Sequence, residues 1–531
     1  MFPIVNSNVS PGFVLNYREV MHDRNILLFM VDQLTSFVLK AYGGQTCKTP
    51  HLDRLAARAA VFETAYCAYP LCAPSRFGMM AGRLPSRIGA YDNGAEFTAS
   101  TPTFAHYLRS AGYYTCISGK MHFVGPDQFH GFEERLTTEI YPADMSWTPD
   151  ADFRDFNDDE ERAYAFGVST IDTVRDAGPI ARSMQIDYDE DVIHHAKREL
   201  YSRARSADTR PFMMTVSLTH PHDPYVTTQT YWDLYDEAEI EDPRVPHIPV
   251  EARDPHSKSL YYHYRQDKCA LDHQDYLNAR RGYYGMISYL DDLFGQLMDA
   301  LRDSGHGHNT VVIFASDHGD MIGERGMWFK KTLFDPAIQI PLMIAHPDHP
   351  PCRVAEPVSL LDLFPTLLEI AGIPEAQIRS RLDGKSLLPA MRGEPLHAPV
   401  FAEHIDGGTA APRVCVRDGS MKLTLSRAYP AQLFDLASDP LEQENLAGQG
   451  HPAEARLTGL AEETWPLDTL LDDVIQSQIE RKLIDDALRT GREEIWDFIP
   501  RPLAQNTSYV RRGDAFPDIE RRGYLPVVDK E

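Results

Sequence analysis

The chain has no pair of cysteines spaced to brace a disulfide framework. Its seven cysteines (Cys47, Cys67, Cys72, Cys116, Cys269, Cys352 and Cys415) are odd in number and scattered, with no CxxC spacing. That is the usage of a reducing compartment. Basic charge is scarce as well: 52 Lys and Arg stand against 78 Asp and Glu, a formal charge of −26 over 531 residues. Phosphate binding draws on basic patches that release counterions, so no nucleic-acid partner is expected. Long apolar runs are missing. The longest early one, Ile26 to Val31, follows Asp23 and Arg24 and falls far short of a bilayer span, so no membrane association is expected. No basic–apolar–small pattern opens the chain, so the expectation is a cytoplasmic, soluble protein without a signal peptide.

What remains is an ordinary globular composition, 43% apolar and 24% charged, long enough for two or three domains or one large α/β domain with additions. Buried-strand patterns occur at Asn25 to Val31, Met213 to Thr219, Thr310 to Ser316 and Pro341 to Ala345. Helical patterns occur at Asp53 to Phe62, at Thr103 to Gly112, and from Met286 through Leu290, Phe294 and Leu297 to Leu301, ending at Gly305. The alternation predicts an α/β fold with a large, mostly parallel sheet flanked by helices on both faces. After about residue 395 the character changes. "RVCVRDGSMKLTLS" reads as a hairpin, and a smaller C-terminal α+β subdomain with antiparallel strands is expected. The expected organisation is a loose extension over 1–20, the α/β domain over 21–395, the subdomain over 396–460, and a helical segment and tail over 461–531. In that tail "EIWDFIPRPL" carries apolar residues suited to docking on the body or on a neighbouring subunit.

In such sheets, ligands gather beyond the carboxyl ends of the strands. Asp32 follows the first strand, His222 another, and Asp317 with His318 a third. Singly, each has a plain reading: an Asp caps a helix, and Ser-Asp-His-Gly makes a turn. A lone lysine sits on the surface, and a free cysteine is most often packed. His194 and His195 have no companions and are read as structural. Cys72 differs in its company. "LCAPSRFGMMAGRLP" sets a cysteine, a proline, a serine and an arginine ahead of a small-residue helix.

The Cys-x-Pro-Ser-Arg pattern of Cys72 to Arg76, closed by Gly82 and Arg83, resembles the signature of the type I sulfatases of the alkaline-phosphatase superfamily. The resemblance runs in order along nearly the whole chain. "MVDQ" matches the first metal position with Asp32 and Gln33, and "SGKMH" supplies Lys120 and His122, which match the lysine and histidine that contact the formylglycine and sulfate oxygens. "THPHDPY" supplies His222, "SDHGD" supplies Asp317 and His318, and "WFKK" supplies Lys330. "LFDLASDPLEQENLA" matches a phrase of the C-terminal subdomain.

The resemblance implies that a maturation enzyme oxidises Cys72 to Cα-formylglycine. One hydroxyl of the hydrated aldehyde would attack sulfur, and the other, deprotonated, would expel sulfate from an ester that serine would hold as a stable adduct. It implies roles for Arg76 in holding that side chain and for Lys120, His122, His222 and Lys330 around the sulfuryl group, with His222 or Lys330 protonating the leaving alkoxide. It also implies one divalent ion on Asp32, Gln33, Asp317 and His318. The oxygen donors suit calcium, magnesium or manganese, and the imidazole tilts the choice towards manganese.

Uninterrupted stretches around Cys72, Lys120 and His222 resemble the choline-sulfatase branch. There Asn93 matches a residue near the sulfate, and Trp147 an aromatic that faces a quaternary ammonium. The branch implies an acidic residue shortly after Glu403, where this chain has Gly407 and Gly408 and offers Asp406. It implies a histidine in an aromatic-rich loop, where "ADFRDFNDDEERAYAFGVST" has none. The expected activity is hydrolysis of a sulfate monoester, first choline-O-sulfate, by a homo-oligomer. The alternatives are another small alkyl or aryl sulfate, a phosphonate monoester or phosphodiester, or anion binding without turnover by an unmodified Cys72.

Overall fold

The computed structural model describes residues 24–149, 169–491, 520 and 523–524. The expected 1–20 extension and the tail beyond residue 491, with Trp496 to Phe498, lie outside the described residues. So does most of the loop that follows Trp147.

An eight-stranded sheet forms the centre. In chain order its strands are β1 (Asn25–Val31), β2 (Ala60–Phe62), β3 (Tyr114–Gly119), β4 (Glu134–Arg135), β5 (Phe212–Ser217), β6 (Thr310–Ser316), β7 (Leu342–Ala345) and β8 (Cys352–Val354). Across the sheet they run β8-β2-β7-β6-β1-β5-β3-β4. The pairings make β7 the strand that opposes the rest. β1 lies near the middle, Ile26 beside both Met213 and Val311.

Strand alternation splits the core in two. Leu27, Phe29 and Val31 face one apolar layer, and Ile26, Leu28 and Met30 face the other. Tyr283, Ile287, Leu290, Phe294 and Leu297, from the long helix His273–Asp303, cover the first layer. Phe77 and Met80 from the helix α1 (Cys72–Ala81), Phe104 and Leu108 from Phe104–Ser110, and Leu363 and Leu367 from Leu363–Ile370 cover the second. The expected α/β architecture is present. The stretch Asp53 to Phe62 departs from the expected helix: the helix is Pro50–Ala56, and Ala60–Phe62 is strand β2. That tripeptide has no polar face and is buried on both sides, as an interior strand is.

The hairpin stands where the sequence placed it, Arg413–Asp418 against Met421–Ser426, with Gly419 at φ +58 in its two-residue turn. With Val400–His404 and Gln432–Asp435 it makes a four-stranded antiparallel sheet. The helix α2 (Pro452–Thr464) packs beneath it through Leu457 and Ala461, so the division expected at 460/461 falls inside a helix. A further helix, α3 (Leu470–Leu488), follows. Among the described residues no helix is long and apolar enough to cross a membrane.

Candidate active site

The parallel strands β1, β5, β3 and β6 end side by side, and each hands over to a polar residue within a few positions. Asp32 follows β1, Lys120 follows β3, His222 lies shortly after β5, and Asp317 and His318 follow β6. β3 had not been marked from the sequence, although it delivers both Lys120 and His122. Cys72 meets these residues from the N-terminus of α1, a helix whose ten residues are all buried.

The cysteine sulfur lies 3.3 Å from His318 Nε2, 3.5 Å from Lys330 Nζ and 3.7 Å from Asp32 Oδ1. One ligand atom each from Asp32, Cys72, Asp317 and His318 falls within 4.8 Å of the others. The surroundings of that cluster suit a hard cation. Asp32 Oδ1 and Asp317 Oδ1 each lie 3.8 Å from His318 Nε2. His318 Nδ1 donates to Gly319 O at 3.0 Å, which leaves the Nε2 lone pair facing the carboxylates. Gln33 Nε2 donates to Asp223 Oδ1 (3.0 Å) and Asp320 Oδ2 (2.7 Å). The amide is thereby fixed with Oε1 towards the site, 2.5 Å from Lys330 Nζ.

Arg76 does something other than touch the nucleophile. Its Nε donates to Asp317 Oδ2 (2.8 Å) and its Nη2 to Asp32 Oδ2 (2.9 Å). Nη1 is shared between Lys120 O (2.7 Å) and Ser217 Oγ (2.8 Å). The buried fork therefore holds both carboxylates from beneath and tethers them to the ends of β3 and β5. Lys120 Nζ adds a contact of 2.5 Å to Asp32 Oδ2 and sits 4.0 Å over the Tyr141 ring. Burial alone would raise the Asp32 pKa; Lys120 and Arg76 outweigh it and hold that carboxyl well below its usual range.

His222 Nδ1 donates to Asp223 O at 2.6 Å, and its Nε2 faces Lys330 Nζ at 2.7 Å. Burial, then Lys330, keep His222 neutral. Burial works against the Lys330 charge too, but Cys72, Asp32 and Asp223 raise its pKa overall. Asn93 Oδ1 accepts from Ala73 N at 3.0 Å, which leaves its NH2 group for the cavity above.

That cavity is lined by Cys72, Asn93, His122, His222 and Lys330 together with Tyr141, Trp147, His263, Tyr264, Lys331 and Asp406. All twelve residues singled out from the sequence thus lie at one locality: six of them line the cavity, and Arg76 and Lys120 both reach Asp32 beside it. Gln33 and His122, and Lys331 beside Lys330, hold left-handed backbone at φ 65, 60 and 68, a conformation that persists in non-glycine residues where surrounding structure imposes it, often at functional sites. Tyr141, His263, Tyr264 and Lys331 were missed. His220, by contrast, is structural: its Nδ1 meets Asp189 Oδ2 at 2.6 Å. His194 and His195 pack on one another, away from the cavity lining.

A family model described as Sulfatase matches residues 24–373. A second, described as N-sulphoglucosamine sulphohydrolase, C-terminal, matches residues 323–463. A choline-sulfatase from Rhizobium meliloti (strain 1021) is 42% identical over 510 residues, covering 94% of this chain and 98% of the relative. The chain belongs to the sulfatase family. This sulfatase is therefore a sulfuric ester hydrolase, a family that generally uses a divalent metal and formylglycine. Arylsulfatase K from Danio rerio is 28% identical over 478 residues, 85% of either chain. Among solved structures, a phosphonate monoester hydrolase from Silicibacter pomeroyi shares the sulfatase's fold with a TM-score of 0.64 at 24% identity. That match covers 83% of this chain and 94% of the hydrolase.

Proposed function

We propose that this sulfatase hydrolyses the sulfate ester of a small alcohol bearing a cationic head, with choline-O-sulfate the first candidate. The observation that carries the reading is one cavity lined both by Cys72 and by Trp147 and Asp406. The Trp147 ring offers the aromatic face that a trimethylammonium group seeks, and Asp406 a carboxylate whose charge Lys331 tempers. The 42% identical choline-sulfatase supports the same choice.

Cys72, matured to formylglycine by a generating enzyme, would supply the nucleophilic oxygen. Asp32, Gln33, Asp317 and His318 would hold the ion; three oxygen donors and one nitrogen favour manganese, with calcium next. Bound there, a divalent ion lowers the pKa of a hydroxyl and neutralises sulfate charge. The chain's own residues do the rest. Arg76 orients both carboxylates, while Lys120, His122 and Asn93 surround the sulfuryl group with donors. His122 is suited to this, since among the described residues neither ring nitrogen has a hydrogen-bond partner and burial keeps it neutral. Lys330 holds the proton that the leaving oxygen needs, with His222 beside it to return one. For an alkyl ester that transfer matters more than for a phenol, because alkoxide leaves poorly. We place the enzyme in the cytoplasm, as a homo-oligomer.

The test is turnover of matured enzyme on choline-O-sulfate, nitrophenyl sulfate, sugar sulfates and phosphonate monoesters. The expected order of kcat/KM puts choline-O-sulfate first and phosphonate monoesters below every sulfate hydrolysed. A phosphonate monoester in first place would reassign the reaction. Intact mass should show a loss of about 18 Da at Cys72, thiol replaced by carbonyl. Active protein lacking that loss would remove the nucleophile.

A further inference from the structure

Lys331 Nζ lies 2.6 Å from Asp406 Oδ2, both side chains below one-tenth exposed. Among the described residues Asp406 is the one carboxylate that lines the cavity. The pair is assembled from distant parts of the chain. Lys331 follows Lys330 directly, and neighbouring side chains usually diverge; its left-handed φ of 68 lets both line the same space. Asp406 opens the turn Gly407–Gly408. Gly407 O is 3.5 Å from Lys331 Nζ, and Gly408 holds φ +90, where a side chain would be strained. His263 approaches Gly407 and Gly408, and Trp147 lines the same cavity.

We propose that Lys331 is a specificity-determining residue: by offsetting the Asp406 charge it sets how strongly the cavity holds a cationic head group. This rests on the reading that the cavity receives the alcohol part of the ester beside Asp406. A bare carboxylate beside an aromatic face would attract a monovalent cation strongly. A carboxylate already paired presents a short dipole, which attracts a lone cation little. The wall in its present form therefore tempers the cation preference and leaves room for esters with neutral or hydroxylated heads.

The experiment compares two esters of one shape, 2-(trimethylammonio)ethyl sulfate and its carbon isostere 3,3-dimethylbutyl sulfate. Each competes against nitrophenyl sulfate, so binding is read whether or not the competitor turns over. The quantity is the ratio of the neutral competitor's inhibition constant to that of the cation, at pH 8.5. Burial raises the Asp406 pKa, so an alkaline pH favours the ionised carboxylate. Lys331→Met should raise the ratio at least tenfold, equivalent to about 1.4 kcal/mol. Lys331→Gln, the gentler replacement, should move it the same way. Asp406→Asn should lower it, and Lys331→Met with Asp406→Asn, restoring a neutral wall, should return it near that of the unaltered enzyme. A ratio unchanged or lowered in both Lys331 variants overturns the proposal. If the unaltered enzyme shows no cation preference but Lys331→Met creates one, the proposal stands and the choline assignment falls.

Discussion

Replacing Arg481 by Met tests whether the helix α3 belongs to the active-site wall. Arg481 grips Asp92 with both terminal nitrogens, Nη1 to Oδ1 at 2.6 Å and Nη2 to Oδ2 at 2.7 Å, and Nη1 also donates to Thr148 Oγ1 at 2.9 Å. Asp92 is 0% exposed and Arg481 6%. The pair joins α3 to two loops that carry proposed substrate contacts, Asn93 after Asp92 and Trp147 before Thr148. Removing one partner of a buried pair strands the other charge and costs about 3–5 kcal/mol. If α3 opens locally, amide exchange across Leu470–Leu488 should accelerate by roughly a hundred- to several-thousand-fold, about a decade per 1.4 kcal/mol. Asn93 also accepts from the amide next to Cys72, and misplacement of order 1 Å at such a point costs about a hundredfold in rate. kcat/KM should therefore fall at least tenfold for every ester. Arg481→Met with Asp92→Leu, which replaces the whole pair by apolar groups, should recover most of the exchange protection but not the activity. If Arg481→Met leaves exchange in α3 and kcat/KM within threefold of the unaltered enzyme, α3 is no part of the site.

Two further outcomes follow from buried titratable groups. His256, His263 and His404 are buried near Asp406 and kept neutral by burial, with Arg413 pressing on the first and Lys331 on the other two. Their folded pKa values lie below the unfolded value near 6.5, so the unfolded chain binds more protons in acid. Stability present above pH 6.5 is then lost as pH falls below it, by up to about 1.4 kcal/mol per pH unit for each histidine. Denaturant titrations at pH 7.5 and 5.5 should show a shallower acid loss for His404→Leu than for the unaltered chain; parallel slopes would mean that His404 is protonated in the fold. For the ion, Asp317→Asn should weaken manganese binding, measured by calorimetry on chelator-treated protein, at least tenfold. Equal affinity would move the ion elsewhere.

Much of the site's floor was legible because it is made of strand ends. A run such as Asn25 to Val31 announces a buried strand by itself, and in a parallel sheet the residue after it has few places to be. Asp32, Asp317 and His318 were found that way. Trp147 illustrates where such reading stops: it is half-buried, packing edge-on to His122 while lining the cavity, so packing and binding were never exclusive for it. The rest of the site is held by tertiary pairings. Lys331 and Asp406 are separated by 75 positions, and Asp92 and Arg481 by 389; neither pair has a local pattern that foretells its partner. Val61 and Phe62 were read as helical for a related reason, since a three-residue buried strand has no period of its own.

Gln33 shows a signal that was visible while its cause was hidden. The sequence alone marks an amide where many sulfatases carry a second aspartate. In the fold, Asp223 and Asp320 both approach position 33, and Asp320 already accepts from Tyr225 OH at 2.7 Å. Two buried carboxylates need N–H donors there, and a third carboxylate would face them with none. The glutamine answers both demands at once, with its NH2 turned to the acids and its oxygen turned to the site. Its identity is thus set by Asp223 and Asp320, at positions far along the chain, as much as by the metal it is proposed to hold.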